Sequence, residues 1–411
     1  MKLFFSERRS KLHEGMTAMA FFCGSTWRLF LINITVAVSY TFILPVMSIF
    51  LINGLHASPV FLTFYSLGTS LSGLFFCQLM GSLSDKGYPD KRLFILSVLA
   101  LSLTGIAFAY CRYPVQALLI GIFLLGPGNA CVTLFLSIIR KHSLEAGINP
   151  TRLNTQMRTC VSVVWIAGPT LAFIFADRFG FAFDFLISAL LSGMTILLCH
   201  LMLPVGEKTS GPGIAKSDEV RKPRISSDIW ALGAVIILAN LSNKIYMTVM
   251  PLYLVKDLNL PVSFPGFLLG SAAIIEIPVM LAASRLADKT GKELLFMAGF
   301  LFASAYYCLL LLASNRAELI ALQILNAVSF GIFTALGISV IQDALPERSG
   351  FASAFYFNAM RTGMIAGNGI TGLMAQLTGF RMTLIIPFLS VSCAALIMLC
   401  INNSRFMKKR Q

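Results

Sequence analysis

Apolar runs of about 20 residues follow one another along this chain, separated by short polar breaks, and that succession decides what it can fold into. A helix of that length crosses the hydrocarbon core of a bilayer. In lipid only helices or closed barrels satisfy their own backbone, and the strand-length alternation of a barrel is missing. The expected fold class is an all-α membrane protein with twelve transmembrane helices. The first six spans read as 29–53, 59–82, 93–111, 116–139, 155–177 and 181–203. The second six read as 229–255, 262–284, 294–313, 318–341, 353–376 and 381–402. Between the sets, Pro204 to Asp228 is polar, rich in Gly, Pro and Ser, and holds five basic residues. The expected organisation is an N-terminal six-helix bundle over 1–203, a cytoplasmic linker over 204–228 and a C-terminal six-helix bundle over 229–411. With 57% of residues hydrophobic and 12% charged, a soluble domain is excluded.

The net charge of +14 points to topology rather than to a nucleic-acid partner. Of the 32 Lys and Arg, 24 fall in the tails and in loops that share one side of the expected topology. The opposite loops hold Arg112, Arg178, Lys256, Arg316 and Arg381. This positive-inside bias places both termini in the cytoplasm, and the localisation expected is a bacterial inner membrane. The nine cysteines show no metal-ligand spacing and read as reduced packing residues. No cleavable leader, Walker-type phosphate loop or enzyme constellation stands out, so no cofactor, metal or catalytic residue is expected.

The two halves echo each other. Asp85-Lys86 recurs as Asp288-Lys289, Met157-Arg158-Thr159 as Met360-Arg361-Thr362, and Gly128 as Gly331, each shifted by 203 positions. Paired repeats of this kind put a binding site near the bilayer midplane between two bundles.

Gly81-Ser82-Leu83-Ser84-Asp85-Lys86-Gly87, followed by Lys91-Arg92, resembles the loop 2–3 signature of the major facilitator superfamily, with Tyr88, Pro89 and Asp90 as extra residues. The run from Ser284 to Lys292 resembles its second-half copy, with Ser284 where glycine is usual. The resemblance implies cytoplasmic gate latches at Asp85, Lys86, Arg92, Asp288 and Lys289, with Asp343 at the end of the tenth span in the same role. Glu276-Ile277-Pro278, Leu322 to Ala327, Gln342-Asp343 and the arginines of the fifth and eleventh spans resemble the bacterial sugar efflux transporter family.

Glu276 is the one acid placed near the bilayer centre, and an ionisable group at that depth faces a cavity or a partner. Arg158 and Trp165, seven residues apart, project from one helix face about 10 Å apart along the axis. A guanidinium can fork onto two hydroxyls, and an indole can underlie a pyranose ring. This spacing resembles the arginine and tryptophan of lactose permease, and the likeness implies a sugar site built on Arg158, Trp165 and Glu276, supported by Asn243, Asn326 and Arg361. Lipid packing for Trp165 and snorkelling for Arg158 are the plainer alternatives. Lys244 and Glu276 reach similar depths if the seventh and eighth spans are neighbours. Either they form a structural ion pair, or Glu276 carries the proton and Lys244 tunes it. The polar residues Asn33, Tyr40, Asn129, Asn240, Asn358 and Asn368 either bridge helices or touch substrate.

The expected function is secondary active transport by alternating access: proton-coupled efflux of a sugar or glycoside by a monomer, with protons and membrane lipid as its other partners. Two rivals stand beside it, proton-driven export of lipophilic cations or drugs and a receptor-like protein that moves nothing.

Overall fold

The computed structural model describes residues 26–147, 150–203, 227–345 and 349–410, and these fold into twelve helical rods. α1 is Thr26–Thr41, continued after a break by Met47–Ile49 and Phe50–Gly54; α2 is Pro59–Asp85; α3 is Asp90–Ala109. α4 runs through Pro114–Ile120, Gly121–Leu125, Gly126–Gly128 and Ala130–Glu145. α5 (Pro150–Phe179) and α6 (Phe181–Met202) complete the first half. The second half holds α7 (Ser227–Leu252, extended by Tyr253–Asp257), α8 (Ser263–Thr290), α9 (Lys292–Leu312), α10 (Arg316–Ala344), α11 (Ser349–Thr383) and α12 (Ile385–Arg410). Gly379, at φ 81°, turns the chain within the segment assigned to α11. Nine rods are long and apolar enough to cross a membrane among the described residues. The other three are α1, which is interrupted, and α5 and α11, which carry the repeated Met-Arg-Thr tripeptides.

Local signals start these helices where the sequence places them. Pro59 and Pro114 occupy first turns, where a missing N–H costs nothing. Asn315 caps α10 by accepting the Glu318 N–H at 2.9 Å. Apolar side chains then condense into two cores, one drawn from α1–α6 with Leu252, the other from α7–α12. The expected linker lies mostly outside the described residues.

The 203-residue shift reappears in backbone detail. α1 and α7 both end in a π-helical turn, Phe50–Gly54 and Tyr253–Asp257. Each turn is closed alike: Leu55 N–H donates to the Phe50 carbonyl and Leu258 N–H to that of Tyr253. His56 and Asn259, again 203 apart, follow with φ of 52° and 51°.

Consecutive helices are not always neighbours. α7 packs on α11 and α12, whereas α8 packs on α10 and, across the bundles, on α5. The bundles meet along two seams. At one, the Thr170 hydroxyl of α5 donates to the Gly266 carbonyl of α8 at 2.9 Å. At the other, Asn368 Nδ2 of α11 donates to Ser70 Oγ of α2 at 2.9 Å, and the Leu373 N–H donates to Thr63 Oγ1 at 3.1 Å. A Cβ on Gly372 would stand 2.4 Å from the Pro59 carbonyl oxygen, so the two backbones touch there. Met47–Ile49 of α1 also lies against α7. All of these contacts sit at the end where α2 and α8 begin and α5 and α11 finish.

Candidate functional site

Below the closed end, the seams bring the candidate residues to one level. Trp165 lies five residues before Thr170 on α5, and Glu276 six after Gly270 on α8. Thr170 and Gly270 abut, since a Cβ on Gly270 would lie 2.5 Å from Thr170 Oγ1. At 1.5 Å per residue, both side chains stand roughly 8–9 Å below that contact on antiparallel helices. The other seam repeats the arrangement. Arg361 precedes Asn368 by seven residues and Cys77 follows Ser70 by seven, which puts the two at one level on α11 and α2. Trp165 is 41% exposed and Arg361 is also exposed, each two helical turns or less from its seam contact. Arg158 lies on α5 seven residues before Trp165; its side chain falls outside the described residues.

Glu276 is half-buried, and its side chain lies close to Thr334 of α10. Gly331, one turn before Thr334, makes this approach possible: a Cβ there would be 2.9 Å from Val279 and 3.3 Å from the Glu276 carbonyl oxygen. Pro278 removes one donor from the α8 ladder beside the acid. Phe330, also one turn before Thr334, belongs to the wall of a cavity of about 50 Å³ inside the second bundle, together with Asn243, Asn326, Ser242, Tyr307 and Ser329. Asn326 Nδ2 donates to Gln323 Oε1 at 3.0 Å, and Gln323 is fully buried beside the bonded Tyr246–Tyr306 hydroxyl pair. Pockets that enclose small molecules run to roughly 300 Å³ or more. In this conformation the cavity therefore has room for a few waters only.

Lys244 departs from its expected place. It forms no ion pair with Glu276, because α7 and α8 are not the neighbours that the shared-depth argument assumed. Its Cβ and Cγ instead lie against Gly367 of α11, where a Cβ would meet them at 3.1 and 3.4 Å. The pair of readings built on a Lys244–Glu276 contact thus loses its geometry. Several of the polar residues bridge helices. Asn33 donates to the Met157 carbonyl and Tyr40 to that of Gly128, while Asn368 joins the bundles and Asn240 bonds its own helix at Ile236.

The expected latches are arranged differently from the motif. Asp85 closes α2, and its side chain falls outside the described residues. Lys86, Arg92, Asp288 and Lys289 are exposed and enter no ion pair among the described residues. Asp343 bonds Lys292 at 2.6 Å. The buried acid of the first corner is Asp90, one of the three residues extra to the motif. It takes the Ser137 hydroxyl at 2.7 Å, that of Ser84, and Lys141 Nζ at 2.7 Å, and so ties the end of α2 to α3 and α4. Lys91 beside it donates to the Leu203 carbonyl after α6. Sequence reasoning passed over Asp90, although a carboxylate following Pro89 at a helix start is itself a signal.

Twelve rods in two bundles related by a constant shift, meeting at one end around a polar level, is the build of an alternating-access carrier. The sequence profile of the Major Facilitator Superfamily matches residues 29–239 and again 232–411. The chain belongs to this superfamily. It is a transporter rather than an enzyme. This facilitator is 30% identical to Sugar efflux transporter A of Dickeya chrysanthemi over 355 residues, 86% of this chain and 90% of that one. It is 30% identical to Sugar efflux transporter B of Salmonella typhimurium over 337 residues, 82% and 85% of the two chains. The crystal structure of the nucleoside transporter NupG superposes with a TM-score of 0.71 at 14% identity, covering 92% of this facilitator and 98% of NupG. At that identity the likeness concerns the fold.

Proposed function

We propose that the protein exports a sugar or glycoside in exchange for protons. The observation that carries this reading is near-full-length similarity to curated sugar efflux transporters, at 30% identity over 86% of the chain. The geometry supports it in three ways. Trp165 offers a flat apolar face, Arg361 and Arg158 offer forked donors, and Glu276 offers an acid, all belonging to helices that flank one gap. Closure through short contacts at one end leaves the other end free to admit cargo. The gap between the bundles, rather than the small cavity inside the second bundle, is the space that would widen as the bundles part. Residues 204–228 serve as the cytoplasmic linker between 1–203 and 229–411, and the basic loops hold both termini on the cytoplasmic side of the inner membrane.

In this reading Glu276 exchanges its proton for cargo, with Thr334 close beside it; Asn243, Asn326 and Lys244 shape its surroundings without contacting it as an ion pair. The test is proton-coupled efflux in inverted vesicles. Glu276→Gln is expected to abolish substrate-driven proton movement while counterflow of sugar persists. Coupling at the wild-type level in that variant would exclude Glu276 as the carrier. Trp165→Ala is expected to raise KM for sugar with little change in kcat, and a panel of cationic dyes is expected not to compete.

A further inference from the structure

A second carboxylate lies inside a span, far from Glu276 in the chain and in the other bundle. Asp184 occupies the first turn of α6, is 0% exposed, and neither of its oxygens has a hydrogen-bond partner. Its surroundings are apolar and tightly held. The next residue, Phe185, packs edge-on against Phe50 of α1 at 4.8 Å between centroids and against Phe108 of α3 at 5.4 Å. One turn further on, the Ser188 hydroxyl donates to the Ser39 carbonyl of α1 at 2.8 Å. The 203-residue shift maps Asp184 onto Pro387, so the packing of this corner does not demand an acid. An ionised carboxylate left here with neither donor nor cation would cost several kcal/mol. On the π-helical turn of α1, the Asn53 amide oxygen is likewise buried without a donor. With both Asp184 oxygens buried and no cation bonded to them, a bound proton removes the cost of the charge.

The helices packed on α6 are α1, α3 and α5. The charged and titratable groups they present at this end are His56 after α1, Tyr110, Cys111, Arg112 and Tyr113 after α3, and Asp177 and Arg178 at the end of α5. The charged groups among them are exposed, and none forms an ion pair with Asp184. The charged groups at the other ends of α1 and α3, Arg28 and the Asp90 to Arg92 run, are a helix length away.

The cover over Asp184 is also part of the closed end. Met47–Ile49 rests on α7, and Phe50, the next residue, closes over Phe181 and Phe185 on either side of the acid. Parting the bundles at this end pulls on that segment and admits water to the carboxylate. We propose that Asp184 is a proton-binding site: it holds one proton while the bundles are closed at this end and yields it to solvent when the end opens. This site is independent of the role given to Glu276.

Infrared spectroscopy of the full-length protein in liposomes reads the proton directly. In an E276Q background, which removes the half-buried acid of α8, the carbonyl band of a protonated carboxyl is expected at neutral pH. Adding D184N should remove it. An absent band, or one that D184N leaves unchanged, would overturn the assignment. Hydrogen exchange tests the link to opening. After correction for intrinsic chemistry, peptides spanning residues 42–57 should exchange up to about tenfold faster per pH unit as Asp184 deprotonates, and D184N should abolish that dependence. An equal pH response in the two proteins would refute the coupling. If D184N does not fold, D184L takes its place, and an absent band in the E276Q spectrum overturns the assignment by itself.

Discussion

At the corner where α3 begins and α4 ends, the acid Asp90 stands at the helix start and the base Lys141 near the helix end. At the matching corner of the other bundle the order is reversed: Lys292 opens α9 and Asp343 stands near the end of α10. Both charges of the first pair agree with their helix dipoles, and both of the second oppose them, a difference of roughly 0.3–1 kcal/mol per charge. Burial separates the corners further. The Asp90 side chain is 4% exposed and takes two hydroxyls besides its lysine, whereas that of Asp343 is 59% exposed. The two corners are thus held by pairs that are not repeat-related, since the 203-residue shift maps Asp90 onto Glu293 and Lys141 onto Ala344. The first corner is built to stay shut, and the second holds by an ion pair that water and salt can loosen.

The largest test of this contrast is Asp90→Ala, which strips α2, α3 and α4 of their common acceptor. It is expected to cost about 3 kcal/mol in reversible unfolding of the detergent-solubilised protein. Lys141→Met should cost about 1–2 kcal/mol, because Asp90 keeps its serine hydroxyls. On the opposite corner Asp343→Asn should cost no more than about 0.5 kcal/mol, and the effect should vanish in high salt. If Asp343→Asn costs as much as Asp90→Ala, burial is not what distinguishes the two. The smallest and sharpest test is the exchange K292E/D343K, which aligns both charges with their dipoles. It should leave stability unchanged or raise it by a few tenths of a kcal/mol, and a clear loss would mean that the pair's present polarity is itself required.

Much of the architecture was legible because its causes are local. Apolar length sets the spans, Pro59 and Pro114 mark helix starts, and the 203-residue echo of three short motifs carries down to the φ angles of His56 and Asn259. Where neighbours had to be guessed, legibility failed. Lys244 and Glu276 share a depth, but depth says nothing about which helices touch, and α7 and α8 face different partners. Asp90 was hidden as an extra residue in a familiar motif, although its burial under Ser84, Ser137 and Lys141 depends on α4, nearly fifty residues away. Asp184 stands close enough to a loop to pass for a surface acid. Only its complete burial, next to a Phe185 that packs on Phe50 and Phe108, makes it otherwise. Thr334, the neighbour of Glu276, carries no signal of its own in a span of ordinary composition.

The seam at Gly372 has a mechanical consequence. Where backbone lies on backbone, bulky side chains do not interdigitate, so α2 and α11 can part once the hydrogen bonds of Thr63 and Asn368 are released. A joint of this kind behaves as a plain bearing rather than a zip. Even one added methyl group there would act as a wedge, holding the molecule ajar and favouring whichever conformation has that end open.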